Sequence, residues 1–109
     1  MQRILFLCSR NRLRSPTAEA VFASRPNLEV ASAGLSADAD VPCTPDLVEW
    51  AHIIFVMEKK HRKKLATSFR RLLKDRKIVC LDIPDDYAFM APKLVRLLEA
   101  KVEPHLHAR

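Results

Sequence analysis

Cys8 and Arg14 stand with five residues between them, and Ser15 and Pro16 follow at once, in the stretch Ile4-Leu5-Phe6-Leu7-Cys8-Ser9-Arg10-Asn11-Arg12-Leu13-Arg14-Ser15-Pro16. A thiolate is a strong nucleophile, and a guanidinium offers a planar fork that suits two phosphate oxygens at once. A loop of this length can wrap a tetrahedral oxyanion and turn its backbone N–H groups inward. It runs into a helix N-terminus, whose unpaired N–H groups and dipole favour negative charge. The same field favours the thiolate form of Cys8. The spacing predicts a phosphate cradle that attacks phosphorus with sulfur. Its anion-binding residues are Ser9, Arg10, Asn11, Arg12, Leu13, Arg14 and Ser15, with Cys8 as nucleophile. Ser15 also reads as an N-cap hydroxyl and Pro16 as a first helical residue.

Attack on a phosphate monoester expels an alkoxide or phenoxide, which needs a proton. Three carboxylates in Leu81-Asp82-Ile83-Pro84-Asp85-Asp86-Tyr87 are candidates. Asp85 is preferred, since it lies far enough beyond the preceding strand to reach over the cradle. Asp82 and Asp86 stay open as alternatives, and Tyr87 either lines the mouth or covers the sheet edge.

These groups need a scaffold that brings two loops to one edge. Gln2–Cys8 is apolar on both faces, as a central parallel strand is. Pro16 to Arg25 reads as a helix with Ala18, Val21 and Phe22 on one stripe. Leu28–Ala33 is a second strand, closed by Gly34, the only glycine, which marks a backbone conformation other residues resist. Residues 35–44 form a surface loop and Pro45–Ala51 a short helix with Thr44 as N-cap. Residues 53–57 are a third strand. Glu58–Asp75 is a helix with Leu65, Phe69, Leu72 and Leu73 inward. Lys77–Leu81 is a fourth strand, Pro92–Val102 a last helix, and Glu103–Arg109 a frayed tail. Alternating strands and helices predict an α/β three-layer sandwich with a four-stranded parallel sheet. Ligands bind at the carboxyl ends of such strands, where Cys8 sits.

The 109 residues are sized for one domain spanning 1–109, with 49% apolar and 29% charged residues against disorder. No apolar run approaches the ~18–20 residues of a membrane span, and no signal-peptide pattern precedes the arginines. Cys8, Cys43 and Cys80 form neither an even disulfide framework nor a metal pattern. They fit a reducing, cytoplasmic compartment. Neither a metal nor a cofactor is expected. The net charge of +6 points to an anionic partner. Ten of the 19 Lys and Arg lie between Lys59 and Lys77. Most fall opposite the apolar stripe, as a solvated face does, and His61 lies on the same helix with no partner at metal-ligand spacing. A nucleic-acid partner is a weaker reading there, because interleaved aromatics are lacking.

The run Cys8-Ser-Arg-Asn11-Arg-Leu-Arg14-Ser15-Pro16-Thr-Ala18-Glu19 resembles the signature of the low-molecular-weight protein tyrosine phosphatases. Ser32-Ala33-Gly34 and the stretch Trp50–Glu58 are similar to further family segments, and Asp85-Asp86-Tyr87 lies where the family keeps an Asp-Pro-Tyr acid loop. The resemblance implies a phosphocysteine on Cys8, with Arg14 binding the equatorial oxygens. Asp85 would protonate the leaving group and then activate water. Asn11 and Ser32 would brace the loop and Ser15 would stabilise the thiolate. It also implies strand order 2-1-3-4, no cofactor, and a phosphorylated substrate. Arg10 replaces the family's usual glycine, Leu13 its second cysteine and Asp86 its proline. The trimmed 34–44 loop opens the choice between phosphotyrosine protein and small phosphoester.

Three other chemistries share parts of this pattern. Thiol-based arsenate reduction needs resolving cysteines, for which Cys43 and Cys80 make a poor relay. A phosphocysteine carrier of the sugar-transport kind lacks the arginine that Arg14 supplies. A non-catalytic phosphate- or RNA-binding module would keep the cradle without turnover.

Overall fold

A computed structural model describes residues 1–106. Its strands are β1 (Gln2–Cys8), β2 (Leu28–Gly34), β3 (Ile53–Val56) and β4 (Lys77–Cys80), all parallel, in the order β2-β1-β3-β4. The principal helices are α1 (Arg14–Phe22), α2 (Pro45–Trp50), α3 (Lys59–Phe69) and α4 (Pro92–Val102). The most continuous apolar run, β1, is central and buried on both faces, because parallel strands need helical crossovers that cover the sheet.

Alternation along the strands sends side chains to two cores. Ile4, Phe6, Phe55 and Met57 meet α1 and α4 through Ala18, Phe22, Leu94 and Leu98. Phe6 lies between Phe22 and Phe55, with ring centroids 5.8 and 5.3 Å away. Leu5, Leu7, Ile54 and Val56 meet α2 and α3 through Val48 and Leu65. Thr44 caps α2, its hydroxyl accepting from Leu47 N at 3.3 Å, with Pro45 at the first helical position. The four carboxyl strand ends thus converge on one edge, with the Cys8–Arg14 loop at its centre.

Several boundaries differ from the sequence reading. The first helix begins at Arg14, with Leu13 in the N-cap place, because the Ser15 hydroxyl is engaged by Cys8 and Asn11 instead of capping. It ends at Phe22, where the chain turns toward Pro26. The basic helix ends at Phe69, and Arg70–Leu73 tighten into a 3₁₀ turn. That turn lets Phe69, Leu72 and Leu73 all reach the second core. Ladder-like bonds run past the strand ends, Leu81 N to Val56 O and Ile83 N to Met57 O, each 2.8 Å. The tail is not frayed through residue 106. Glu103–His105 form a 3₁₀ turn, Leu106 packs on the first core, and residues 107–109 lie outside the described residues.

Gly34 is required for room and not for conformation, since its φ is not positive. A Cβ there would lie 2.5 Å from Ser9 O and 2.6 Å from Ala39 Cβ. Among the described residues, those with left-handed backbone are Asn11, Asp82 and Met90.

Candidate active site

Cys8 ends β1 buried, and its sulfur lies 2.9 Å from Ser15 Oγ. Asn11 N donates to the same sulfur at 3.3 Å. The turn that allows this places Asn11 at φ 59°, a left-handed conformation that asparagine tolerates better than most side chains. Asn11 Nδ2 donates to Ser15 Oγ at 2.9 Å and to Ser32 Oγ at 3.0 Å, and Ser32 donates onward to Glu19 Oε1 at 2.5 Å. Ser15 has one proton to give. The Cys8 sulfur and, at 3.4 Å, Ala33 O compete for it, so a thiolate draws it from the carbonyl. Among the described residues the backbone N–H groups of Arg12, Leu13 and Arg14 make no hydrogen bond, as at any helix start. They are available to an anion.

Arg14 is only 3% exposed, yet it is not neutralised all round. Nη1 donates to Glu58 Oε2 at 2.5 Å and to Ile83 O at 2.7 Å. Nε faces Asp85 Oδ1 at 3.7 Å, and Nη2 makes no hydrogen bond among the described residues. One edge of the fork is anchored and the other remains for an oxyanion. Burial alone pushes the Glu58 carboxyl up, but the Arg14 hydrogen bond and charge, with Lys60 and His61, hold it below the ordinary carboxylate value.

The loop after β4 brings one of its three acids to this point. Asp85 is 62% exposed on the open side of Arg14. Asp82, at φ 53°, accepts from Cys80 Sγ at 3.5 Å and so faces the end of β4. Asp86 is exposed and makes no ion pair among the described residues. Tyr87 is half-buried and packs on the first core.

A family model described as low molecular weight phosphotyrosine protein phosphatase matches residues 3–83, most of the chain. The chain belongs to that family. It is therefore a cysteine-dependent phosphatase. No curated protein matches the sequence. Solved structures share the fold at low identity. The YwlE arginine phosphatase from Geobacillus stearothermophilus is 20% identical at a TM-score of 0.73, with 100% of each chain covered. Wzb from Vibrio vulnificus, in complex with benzylphosphonate, is 23% identical at 0.75, covering 95% of this chain and 96% of that one. SP-PTP, a low molecular weight protein tyrosine phosphatase from Streptococcus pyogenes, is 17% identical at 0.79, covering 98% and 95%.

Two residues that composition and periodicity passed over bind the Cys8–Arg14 loop. Glu58 stands at the N-cap of α3 and holds Arg14. His61, 2% exposed, accepts from Glu58 N at Nδ1 over 3.0 Å. Its neutral ring must then carry the proton on Nε2, which donates to Ser9 Oγ at 3.0 Å. The start of α3 thus grips the cradle at both ends, Ser9 and Arg14. His61 is not part of a solvated face. Burial, then the Arg14 charge, lower its pKa to about 4 against the opposing charge of Glu58. The available signal was the Glu58-x-x-His61 spacing at a helix start, that of a capping box.

Arg10 and Arg12 turn outward. Arg10 pairs with Asp38 at 3.7 Å and Arg12 with Asp40 at 3.3 Å, while Asp40 N donates to Arg10 O at 3.0 Å. The short 35–44 loop is thereby fastened along the cradle. Leu13 and Val41 are exposed beside it, as are Phe89 and Met90 on the loop that returns to α1 through Met90 N and Thr17 Oγ1, 2.9 Å.

Proposed function

We propose that this phosphatase hydrolyses phosphomonoesters through Cys8, with Arg14 as phosphate clamp and Asp85 as general acid. The observation that carries the reading is the buried Cys8 sulfur, held by Ser15 Oγ and Asn11 N at the base of a loop that Arg14 closes. The thiolate attacks phosphorus, forming an S–P bond as the P–O bond to the leaving group breaks. Asp85 gives its proton to the departing oxygen. Water then attacks phosphorus, its proton passing to Asp85, and the S–P bond breaks to return the thiolate, which Ser15 stabilises. The remaining edge of Arg14 and the open N–H groups of Arg12, Leu13 and Arg14 hold the phosphoryl oxygens as charge builds. Ser9, Arg10, Asn11 and Ser15 shape that cradle.

The exposed apolar side chains of Leu13, Val41, Phe89 and Met90 favour an ester with an aromatic leaving group, phosphotyrosine or a small aryl phosphate. Cys43 does not suit a resolving role in arsenate reduction, because burial pushes its thiol up to about 11 and so suppresses the thiolate. With Cys8, Cys43 and Cys80 all free thiols, the cytoplasm is the compartment that suits the chemistry.

Hydrolysis of p-nitrophenyl phosphate across pH 5 to 8 tests the reading. Turnover should vanish in Cys8→Ser and fall sharply in Asp85→Asn. Loss only in Cys8→Ser would move the acid to Asp82 or Asp86. A wild type that binds phosphate without turnover would leave a binding module instead.

A further inference from the structure

Between Lys59 and Lys74 the chain carries eight Lys or Arg and no Asp or Glu. None of the eight makes an ion pair among the described residues. Lys59, Lys60, Lys63 and Lys64 occupy the exposed side of α3, opposite the buried His61 and Leu65, and Arg70, Arg71 and Lys74 extend the stripe through the 3₁₀ turn. This placement opposes helix physics. Lys59 and Lys60 sit in the first turn, at the positive end of the dipole, and no acidic residue accompanies them. Lys59 with Lys63, and Lys60 with Lys64, are like charges at i and i+4, which repel. The carboxylate that caps the helix, Glu58, is committed to Arg14. A stripe of like charges with no ion pair among the described residues marks a surface completed by an external anion.

The stripe begins at the active site. Lys59 and Lys60 line a shallow groove with Glu58, Asp82 and Pro84, and Asp85 is the next residue. From there α3 runs about 16 Å, the reach of roughly five extended residues. We infer that α3 is a docking surface for an acidic segment of a phosphorylated protein, one whose Asp and Glu residues flank the phosphorylated side chain. This rests on the phosphatase reading above and adds to it what surrounds the ester. The stripe carries no exposed aromatic on which bases could stack, which disfavours single-stranded RNA. It carries no exposed large hydrophobic side chain either; those are Met1, Leu13, Val41, Phe89 and Met90, so nothing on α3 would insert into a lipid surface.

The test compares two phosphotyrosine peptides that differ only in a block of six glutamates or six glutamines, placed on either side of the phosphorylated residue. At low salt kcat/KM for a glutamate peptide should exceed that of its glutamine partner by about ten-fold, through KM and not kcat. The advantage should disappear near 0.5 M NaCl, where surface charges are screened. The double variant Lys63→Glu/Lys64→Glu should lose it too, while keeping wild-type turnover of p-nitrophenyl phosphate, which shows that it folds. Equal kcat/KM for both peptides, or an advantage that survives the double variant, overturns the inference. A wild type inactive on p-nitrophenyl phosphate strikes the phosphatase reading instead. The surface is then judged by fluorescence anisotropy with the same glutamate peptide. Its binding, lost in the double variant, supports docking. Tighter binding of an RNA 12-mer, or of phosphatidylserine vesicles, overturns it.

Discussion

The cradle from Cys8 to Ser15 and the loop from Asp82 to Ala91 meet at the same guanidinium, yet they are held in opposite ways. In the cradle Cys8, Asn11, Arg14 and Ser15 are buried, and each is fixed by a side-chain hydrogen bond. The backs of Ser9 and Ser36 are joined as well, Ser36 N donating to Ser9 O at 2.8 Å. The acid loop is tied mainly at its ends, through Ile83 N to Met57 O and Met90 N to Thr17 Oγ1, and Asp85 between them stands largely in solvent. A site that must fit one tetrahedral anion gains from pre-organisation, because donors already aimed at it need no reorganisation when charge develops. An acid that must reach leaving groups of different shapes gains from freedom. Stability and chemistry should therefore be coupled in the first region and separable in the second.

Arg14→Ala is the most severe way to probe the coupled region. It removes the clamp and leaves the Glu58 carboxylate and Ile83 O without their donor. Turnover should be abolished, and stability should fall by about 2–4 kcal/mol, less than for a fully buried pair since Glu58 is partly exposed. Arg14→Lys keeps the charge but not the fork, and should restore stability more than activity. Denaturant melts beside p-nitrophenyl phosphate rates check both. Equal recovery of the two would mean that the guanidinium geometry does not matter.

Asp85→Asn is the counterpart in the second region. Turnover should drop by about 10²–10³ with a good leaving group retained, within the usual range for removing a general acid. Stability should change by no more than about 0.5 kcal/mol, because the side chain is exposed. A large loss of stability would show the loop to be part of the scaffold and erase the contrast.

Asn11 separates conformation from hydrogen bonding within the cradle. Asn11→Gly accepts φ 59° but loses the amide that feeds Ser15 and Ser32, for about 2 kcal/mol of stability. Asn11→Ala should cost about 1 kcal/mol more, the strain of a left-handed alanine. Indistinguishable melts for the two variants would refute the strain argument.

The same contrast explains what could be read from the chain before its structure. Local signals were enough for the parallel α/β architecture and for the Cys8–Arg14 loop, because nucleophile, clamp and helix start are adjacent in sequence and β1 is apolar on both faces. The strand order followed instead from the family resemblance. What escaped depends on tertiary choices. Ser15 could cap a helix or serve a sulfur, and only the position of Asn11 decides between them. Phe69 could continue α3, but the second core draws Leu72 and Leu73 inward as well and tightens the turn. His61 carries no periodic signal of its own within a run of lysines. Its burial follows from Glu58 reaching Arg14, a contact between residues 44 apart. A lone glycine at position 34 suggests a special dihedral, whereas the close approach of Ser9 O explains it.

His61 offers the finest test, because it supports the cradle without touching the anion. Its pKa falls to about 4 in the folded protein from an ordinary 6.5, so between these values the unfolded chain binds the extra proton and the folded chain does not. The stability conferred by the neutral ring is complete above about pH 6.5 and is lost progressively as pH falls toward 4, by about 3 kcal/mol in all. Protonation also ends the acceptance of Glu58 N by Nδ1, loosening the residue that holds Arg14. His61→Gln, which does not titrate, should cost about 1 kcal/mol at pH 7 for the hydrogen bond it cannot reproduce. It should then lose less than wild type on acidification, so that the two stability curves converge between pH 6 and 4. Parallel curves would mean that other groups govern the acid limb. The grip of α3 on the cradle would then be a matter of packing, not of a neutral imidazole.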